Sequence, residues 1–470
     1  MEDRDGILVN DVYSRLNATR VARICRPQDI DALRTLVRDA ADAGERMCVC
    51  GGRHAMGAQQ FVAGAVLIDM TAMNRCLGFD AARGLIEIEA GADWPAVIEH
   101  VHQSQAPDQA HWGIRQKQTG ADALSLGGAV AANVHGRGLK MRPFVDDVEA
   151  LQLITADAEV ITCSRECNAE LFRLVVGGYG LFGVVASIQL RLGRRMKLRR
   201  LVDILDIDDA IPAVRRRAQE GCVYGDFQYA IDPNDSSFLR RGVCACYTSV
   251  DGNTPVSDAA ADLSRDRWVA LLKLAHTDKR QAFEQYSAHY LSTHGRVYWS
   301  DTMQLSTYLP TYDQFLRETR GPAEDESLMI GELNVPPEHL PEFLSRSRQA
   351  LRDTGVEDIY GTIRSIRQDD ATFLPWARRD FACVIFNLRT AHTPSGVART
   401  SAAFQRLQDA AIGLDGSFYL TYHRFITRAQ LQAAYPQFGQ FLQLKRAYDP
   451  AERFVSDWYW HFKRLLNLRN

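Results

Sequence analysis

Cys50-Gly51-Gly52-Arg53-His54-Ala55-Met56-Gly57-Ala58-Gln59-Gln60 lies between two short apolar runs, Met47 to Cys50 and Ala65 to Asp69. Small residues clustered between two strands let successive backbone N–H groups face one point, a concavity that binds phosphate oxygens. Arg53 adds charge to that donor set, so the loop suits a pyrophosphate. It is not a Walker A loop, because no Gly-Lys-Ser/Thr follows at the required spacing. A second glycine motif, Gly178-Tyr179-Gly180-Leu181-Phe182-Gly183, has the GxGxxG spacing. A helix pattern (Asn168 to Val176) precedes it and a strand pattern (Val184 to Leu192) follows. The dinucleotide fingerprint needs the reverse order, strand then glycines then helix, so this match does not mark a Rossmann unit.

Outward from the loop, Pro27-Gln28-Asp29 opens a segment with apolar Ile30, Leu33, Leu36, Val37 and Ala40, and Gly44 closes it, which predicts a helix. Strands are expected at Met47 to Cys50, Val66 to Asp69, Leu85 to Glu89, Val148 to Thr155 and Glu159 to Cys163, and a helix at Trp94 to Gln103. Beyond residue 196 the texture changes. Charged helices are expected at Asp209 to Glu220, Ser257 to Leu274, Asp278 to Tyr290 and Pro341 to Thr354, between strands at Tyr224 to Ala230, Val243 to Thr248, Gly361 to Ile366 and Ala382 to Leu388. The basic stretch Leu192 to Arg200 reads as a solvated connector. The aromatic run Trp458-Tyr459-Trp460-His461-Phe462 reads as core of a C-terminal helix.

A chain of 470 residues exceeds one simple core, and its 46% hydrophobic and 24% charged residues are those of an ordinary globular protein. Basic residues (55) balance acidic ones (58), which argues against a nucleic-acid partner. No stretch has the length of a membrane span and the N-terminus has no apolar h-region, so a cytoplasmic protein is expected. The ten cysteines lack zinc-ligand spacing; Cys48 with Cys50 and Cys244 with Cys246 follow strand alternation. No metal is expected.

Three glycine-marked segments share the first part of the chain: Gly51 to Gln60, Gln118-Thr119-Gly120 through Gly127-Gly128 to Asn133-Val134-His135-Gly136, and Gly177 to Gly183. In this order, over roughly Arg20 to Leu192, they resemble the FAD-binding domain of the vanillyl-alcohol oxidase / p-cresol methylhydroxylase (PCMH) superfamily. Within it the chain looks most like the branch of alditol and aldonolactone oxidases and decaprenylphosphoryl-ribose oxidases. Gly331 to Pro336, Asp380 to Phe386, Phe418 to Arg424 and Tyr448 to Asp457 have counterparts there. The resemblance implies an α+β protein: a PCMH-type FAD-binding domain at 1–196, an α+β substrate (cap) domain at 197–425, and a segment at 426–470 that returns to the FAD domain.

By this resemblance the FAD pyrophosphate lies on Cys50, Gly51, Gly52, Arg53, His54, Ala55, Met56, Gly57 and Gln59. Gln118, Thr119, Gly127 and Gly128 line the flavin and its phosphates, with Asn133, His135 and Tyr419 beside it, and Gly183 and Val184 meet the adenine or ring edge. His54 stands where alditol oxidases carry the histidine joined covalently to the flavin. The decaprenylphosphoryl-ribose oxidases lack that histidine. They carry a lysine at the position of Tyr422, and its absence here argues against their substrate.

Removing hydride from a carbon that bears a hydroxyl requires a base within hydrogen-bond reach of that hydroxyl. His423, flanked by Tyr422 and Arg424, is the first candidate; Glu332 is the second, as base or substrate anchor. Arg364 or Arg367 can orient an anionic or polyhydroxylated group. His135 and Cys383 each have an alternative reading as core residues. The expected reaction is oxidation of an alcohol C–H in a sugar, polyol, lactone or related small molecule, with O2 or another acceptor taking the electrons. Oxidative cyclisation or amine oxidation is the alternative, and a flavin-binding protein without catalysis is a remote third.

Overall fold

Asp29 accepts a hydrogen bond from the Ala32 amide and starts the helix Ile30–Asp42, which buries Leu33, Val37 and Ala40. Gly44, at φ 67°, takes the left-handed turn that ends it. This helix links two strands of a parallel three-stranded sheet whose order is Arg23–Cys25, Val66–Asp69, Met47–Cys50. The computed structural model describes residues 6–106, 111–257, 263–305 and 325–468.

An antiparallel five-stranded sheet follows, in the order Val160–Ser164, Val148–Ile154, Val184–Arg191, Leu85–Glu89, Cys76–Asp80. The short helix Ala169–Val175 comes before the second glycine motif and Val184–Arg191 after it, the helix-to-strand order expected from the sequence. Helix Trp94–Gln103 opens with Asp93 capping the Ala96 amide and buries Trp94, Val97, Ile98 and Val101.

The rest of the chain builds an eight-stranded sheet whose neighbours are all antiparallel. Its order is Val297–Trp299, Lys197–Asp206, Arg241–Ser249, Cys222–Tyr229, Asp358–Ile366, Phe381–Ala391, Glu326–Val335, Ser417–Phe418. Helices Ile207–Gln219, Lys279–Ser292 and Leu340–Thr354 lie within two residues of their expected bounds at each end. The expected helix Ser257 to Leu274 is Arg265–Thr277; residues 258–262 of that expectation lie outside the described residues.

One expectation fails clearly. The basic stretch read as a solvated connector runs into a ten-residue strand, Lys197–Asp206, inside the large sheet, with Leu198 and Val202 buried. Two of its basic side chains, Lys197 and Arg200, lie over aromatic rings from other elements of the chain, so charge there did not mean solvent exposure. Arg200 lies over Tyr298 (4.4 Å to the ring centroid), Tyr247 and Tyr290 (5.3 Å each), and Lys197 over Trp299 (5.3 Å).

The C-terminal segment returns to the parallel sheet. The Met47 amide donates to the Arg453 carbonyl (2.7 Å), the Val455 amide to the Met47 carbonyl (3.0 Å), and Phe454 is buried with Met47 and Ile68. Trp458, Tyr459 and Phe462 are buried, as the aromatic run predicted. A single apolar cluster runs from Val21 and Leu67 through Phe227 and Ile385 to Phe462, so both halves of the chain share one core. All ten cysteines are free thiols, and Cys244 and Cys246 place their sulfurs 4.0 Å apart on one strand face. Among the described residues no helix is long and apolar enough to cross a membrane.

Candidate active site

The glycine loops and the eight-stranded sheet enclose a cavity of about 840 Å³. Cys50 to Ala55, Gln59, Gln118, Thr119, Gly127, Gly128, His135 and Gly183 line it, all residues singled out from the sequence. Tyr419, Tyr422 and Arg364 line it from the other side.

The loop after Cys50 is shaped by contacts a side chain would obstruct. A Cβ on Gly51 would collide with Ser125 Oγ, and one on Gly52 with the Ala123 carbonyl oxygen. Arg53 follows at φ 59°, a left-handed conformation that turns successive amides toward one side. The Gly52 and Arg53 amides have no acceptor among the described residues. Gly180, at φ 73°, leaves open space where a Cβ would stand. Buried backbone N–H groups need acceptors. A cradle of glycines and unclaimed amides beside Arg53, whose guanidinium reaches Asp69 (3.4 Å), fits a phosphate-bearing cofactor.

Four of the residues expected at the cofactor are not on the cavity wall, for identifiable reasons. Met56 is core, Gly57 donates its amide to Gln59 Oε1 (3.0 Å), and Val184 is buried beside Ala186. Asn133 is the left-handed C-cap of helix Leu126–Ala132; its Nδ2 donates to Asp369 (2.9 Å) and its Oδ1 accepts from the Val145 amide (2.9 Å). Gln59 does line the cavity, but it also ties the loop to the C-terminal half by donating to the Leu420 and Thr421 carbonyls (3.2 and 2.7 Å).

His423, the first candidate base, is also away from the wall. Its ring packs against Phe404 (4.2 Å) and stacks on Phe425 (5.1 Å), and Nδ1 accepts from the Phe425 amide (3.3 Å). Burial alone pushes it down to about 3, so it is a neutral core imidazole. Beyond strand Ser417–Phe418 the chain turns, and Thr421 and Tyr422 line the cavity while the His423 ring faces Phe404.

Glu332 stands one layer behind the wall, fully buried. Its Oε1 meets His135 Nε2 and accepts from the Cys383 thiol (2.5 Å); its Oε2 has no hydrogen-bond partner. Burial pushes the carboxyl up, but the His135 imidazole, the Cys383 thiol and the Arg364 guanidinium outweigh it and hold Glu332 below the usual carboxylate range. His135 Nδ1 faces the Gly136 carbonyl (2.9 Å), which can only accept, so Nδ1 is the donor of that pair. Burial and the Glu332 charge push the Tyr422 phenol well above its ordinary value. Cys383 is pushed well above the ordinary thiol range by burial, then by Glu332. The ligating atoms of His135, Glu332 and Cys383 lie within 4.8 Å of one another, all three residues buried.

Residues 21–164 match the sequence family described as FAD binding domain. The chain carries an FAD-binding domain. Its glycine loop, the expected pyrophosphate site, lies within the matched residues. Similar proteins include L-gulonolactone oxidase of Bos taurus, 27% identical over 167 residues (35% of this chain, 36% of the relative). L-gulono-1,4-lactone dehydrogenase of Mycobacterium tuberculosis is 30% identical over 162 residues (34% and 36%). Cytokinin dehydrogenase 2 of Arabidopsis thaliana is 29% identical over 147 residues (31% and 28%). The chain spans about a third of the length of these relatives. Opposite the glycine loops, the cavity is walled by strands of the eight-stranded sheet.

That side includes residues the sequence reading missed. Arg200, Arg137, Asp226, Tyr290 and Tyr298 all line the cavity. The basic character of Arg200 was visible in the sequence, but its tyrosine partners come from two distant strands and helix Lys279–Ser292. Arg367, by contrast, pairs with Asp380 on the surface and is not on the wall.

Proposed function

We propose that the protein is an FAD-dependent oxidoreductase that oxidises an alcohol C–H of a small polar molecule. The observation that carries this reading is the placement of Tyr422, backed by buried Glu332, on the wall of a cavity whose other end is the FAD-binding loop. Bound FAD supplies a hydride acceptor at its ring nitrogen N5.

The residues supply proton handling and orientation. Tyr422 accepts the substrate hydroxyl proton as its own passes to Glu332 Oε2, the acceptor without a partner. His135 and Cys383 keep Glu332 ionised and aimed. Arg364, hydrogen-bonded to Thr119 Oγ1, orients the substrate across the junction between the 1–196 flavin domain and the 197–425 cap. His54, which lines the cavity and which burial pushes down to about 4, is neutral and suited to covalent attachment to the flavin. The electrons leave to O2 or another acceptor, in the cytoplasm.

Anaerobic mixing with polyols, sugars, lactones and amines tests the reading: bleaching of the flavin by an alcohol is expected. Bleaching by amines alone would favour the alternative of amine oxidation or oxidative cyclisation, a reading that the presence of cytokinin dehydrogenases among the relatives supports.

A further inference from the structure

Resting on the oxidoreductase reading, we propose that the substrate carries an oxyanion, a carboxylate or a phosphate ester, bound at Arg200 and Arg364 of the eight-stranded sheet together with Arg137 beside it, on the wall of the cavity.

Among the described lining residues Asp226 is the sole carboxylate, whereas Arg53, Arg137, Arg200 and Arg364 all line the same space. Arg53 reaches Asp69, and Arg137 reaches Asp226 at 3.6 Å. Arg200 and Arg364 have no carboxylate within 4.0 Å among the described residues. A guanidinium removed from water without a counter-ion is costly, and a cavity that keeps two of them invites an anion.

The donors are also positioned in advance. Arg200 Nε donates to Tyr247 Oη (3.0 Å) and Nη1 to Thr293 Oγ1 (3.0 Å), and the group lies over three tyrosine rings. Nη2 is left without an acceptor among the described residues. Arg364 Nε and Arg137 Nε are buried N–H groups that also lack acceptors. Rigid, unsatisfied guanidinium edges are the donors that bind carboxylate or phosphate oxygens.

This set is separate from the cofactor's own anion site. The unclaimed Gly52 and Arg53 amides follow the parallel three-stranded sheet, whereas Arg200 and Arg364 stand on strands of the eight-stranded sheet. A lactone, the compound class in the relatives' names, has no formal charge. The proposed substrate therefore differs from those compounds in charge.

The test uses the FAD-loaded protein and reads binding from the visible absorption of its flavin, without turnover. Probes are an aldonolactone, the aldonate formed by its hydrolysis, a sugar phosphate and inorganic phosphate. The expected result is that one or more anionic probes bind while the lactone binds more weakly. Arg200→Gln should weaken anion binding by about 10- to 100-fold, Arg200→Lys by less, with FAD content unchanged. Preference for aldonate or for sugar phosphate identifies carboxylate or phosphoryl as the group. Equal binding of lactone and anions, or anion binding unaffected by both Arg200→Gln and Arg364→Gln, overturns the proposal. An anion that binds while no alcohol ever reduces the flavin supports this site and defeats the oxidoreductase reading instead.

Discussion

A carboxylate with no exposed surface depends on its donors, and Glu332 has two on one oxygen and none on the other. That asymmetry leaves Oε2 as its one defined acceptor atom. Glu332→Gln should slow flavin reduction by about 10²- to 10⁴-fold while FAD stays bound, as stopped-flow absorbance under anaerobic conditions would read. Tyr422→Phe should follow it in direction, and the double variant should be no slower than Glu332→Gln alone, because the two act in one proton path. His54 makes a separate statement: acid-precipitated protein should stay fluorescent, and His54→Ala should release all FAD into the supernatant. Residue identity alone showed Glu332, Arg364 and Tyr422 as candidates. It could not show that His423 points into the ring cage of Phe404 and Phe425, because Phe404 belongs to a helix nineteen positions earlier.

At the scale of elements, the loop and the strands make different demands. Gly52→Ala should lower the FAD content of purified protein, measured by absorbance ratio, because the methyl group meets the Ala123 carbonyl oxygen and the loop must shift. Strand Asp358–Ile366 carries a buried carboxyl, Asp358, which burial pushes up to about 7. Tyr229 Oη lies 2.8 Å from the Ile385 carbonyl and 2.9 Å from Asp358 Oδ2; one phenol proton serves one acceptor, so a protonated Asp358 completes the pair. A carboxyl raised in the folded state stabilises at low pH and loses that contribution as pH rises from about 4 to about 7. Asp358→Asn should flatten this decline, about 1.4 kcal/mol per pH unit across that window, in denaturant titrations.

Short strands bounded by turn residues, such as Leu85–Glu89, and helices with a cap and an apolar stripe, such as Ile30–Asp42, were readable because their signals are local. Lys197–Asp206 was not, since Arg200 packs against rings that only the folded chain brings alongside.

For the whole molecule, the junction between halves rests on a buried charge. Asp301 accepts from Arg195 Nε (2.8 Å) and pairs with His102 Nε2 (2.7 Å) on helix Trp94–Gln103. Burial pushes its carboxyl up, but His102 and Arg195 outweigh that and hold it below the ordinary value. Asp301→Asn leaves the Arg195 guanidinium without its counter-charge and should cost about 3–5 kcal/mol, lowering Tm by calorimetry. The cavity between the glycine loops and the large sheet needs both halves, which is why composition and motif order pointed to a flavin site but left the cap wall unread.

The hydrogen bonds from Met47 to Arg453 and from Val455 to Met47 join stretches separated by most of the polypeptide. On a ribosome, the strand bearing the glycine cradle is made early but lacks its last neighbour until Phe454 has left the exit tunnel. The strand that bears the glycine cradle is therefore completed only when nearly the whole polypeptide is made.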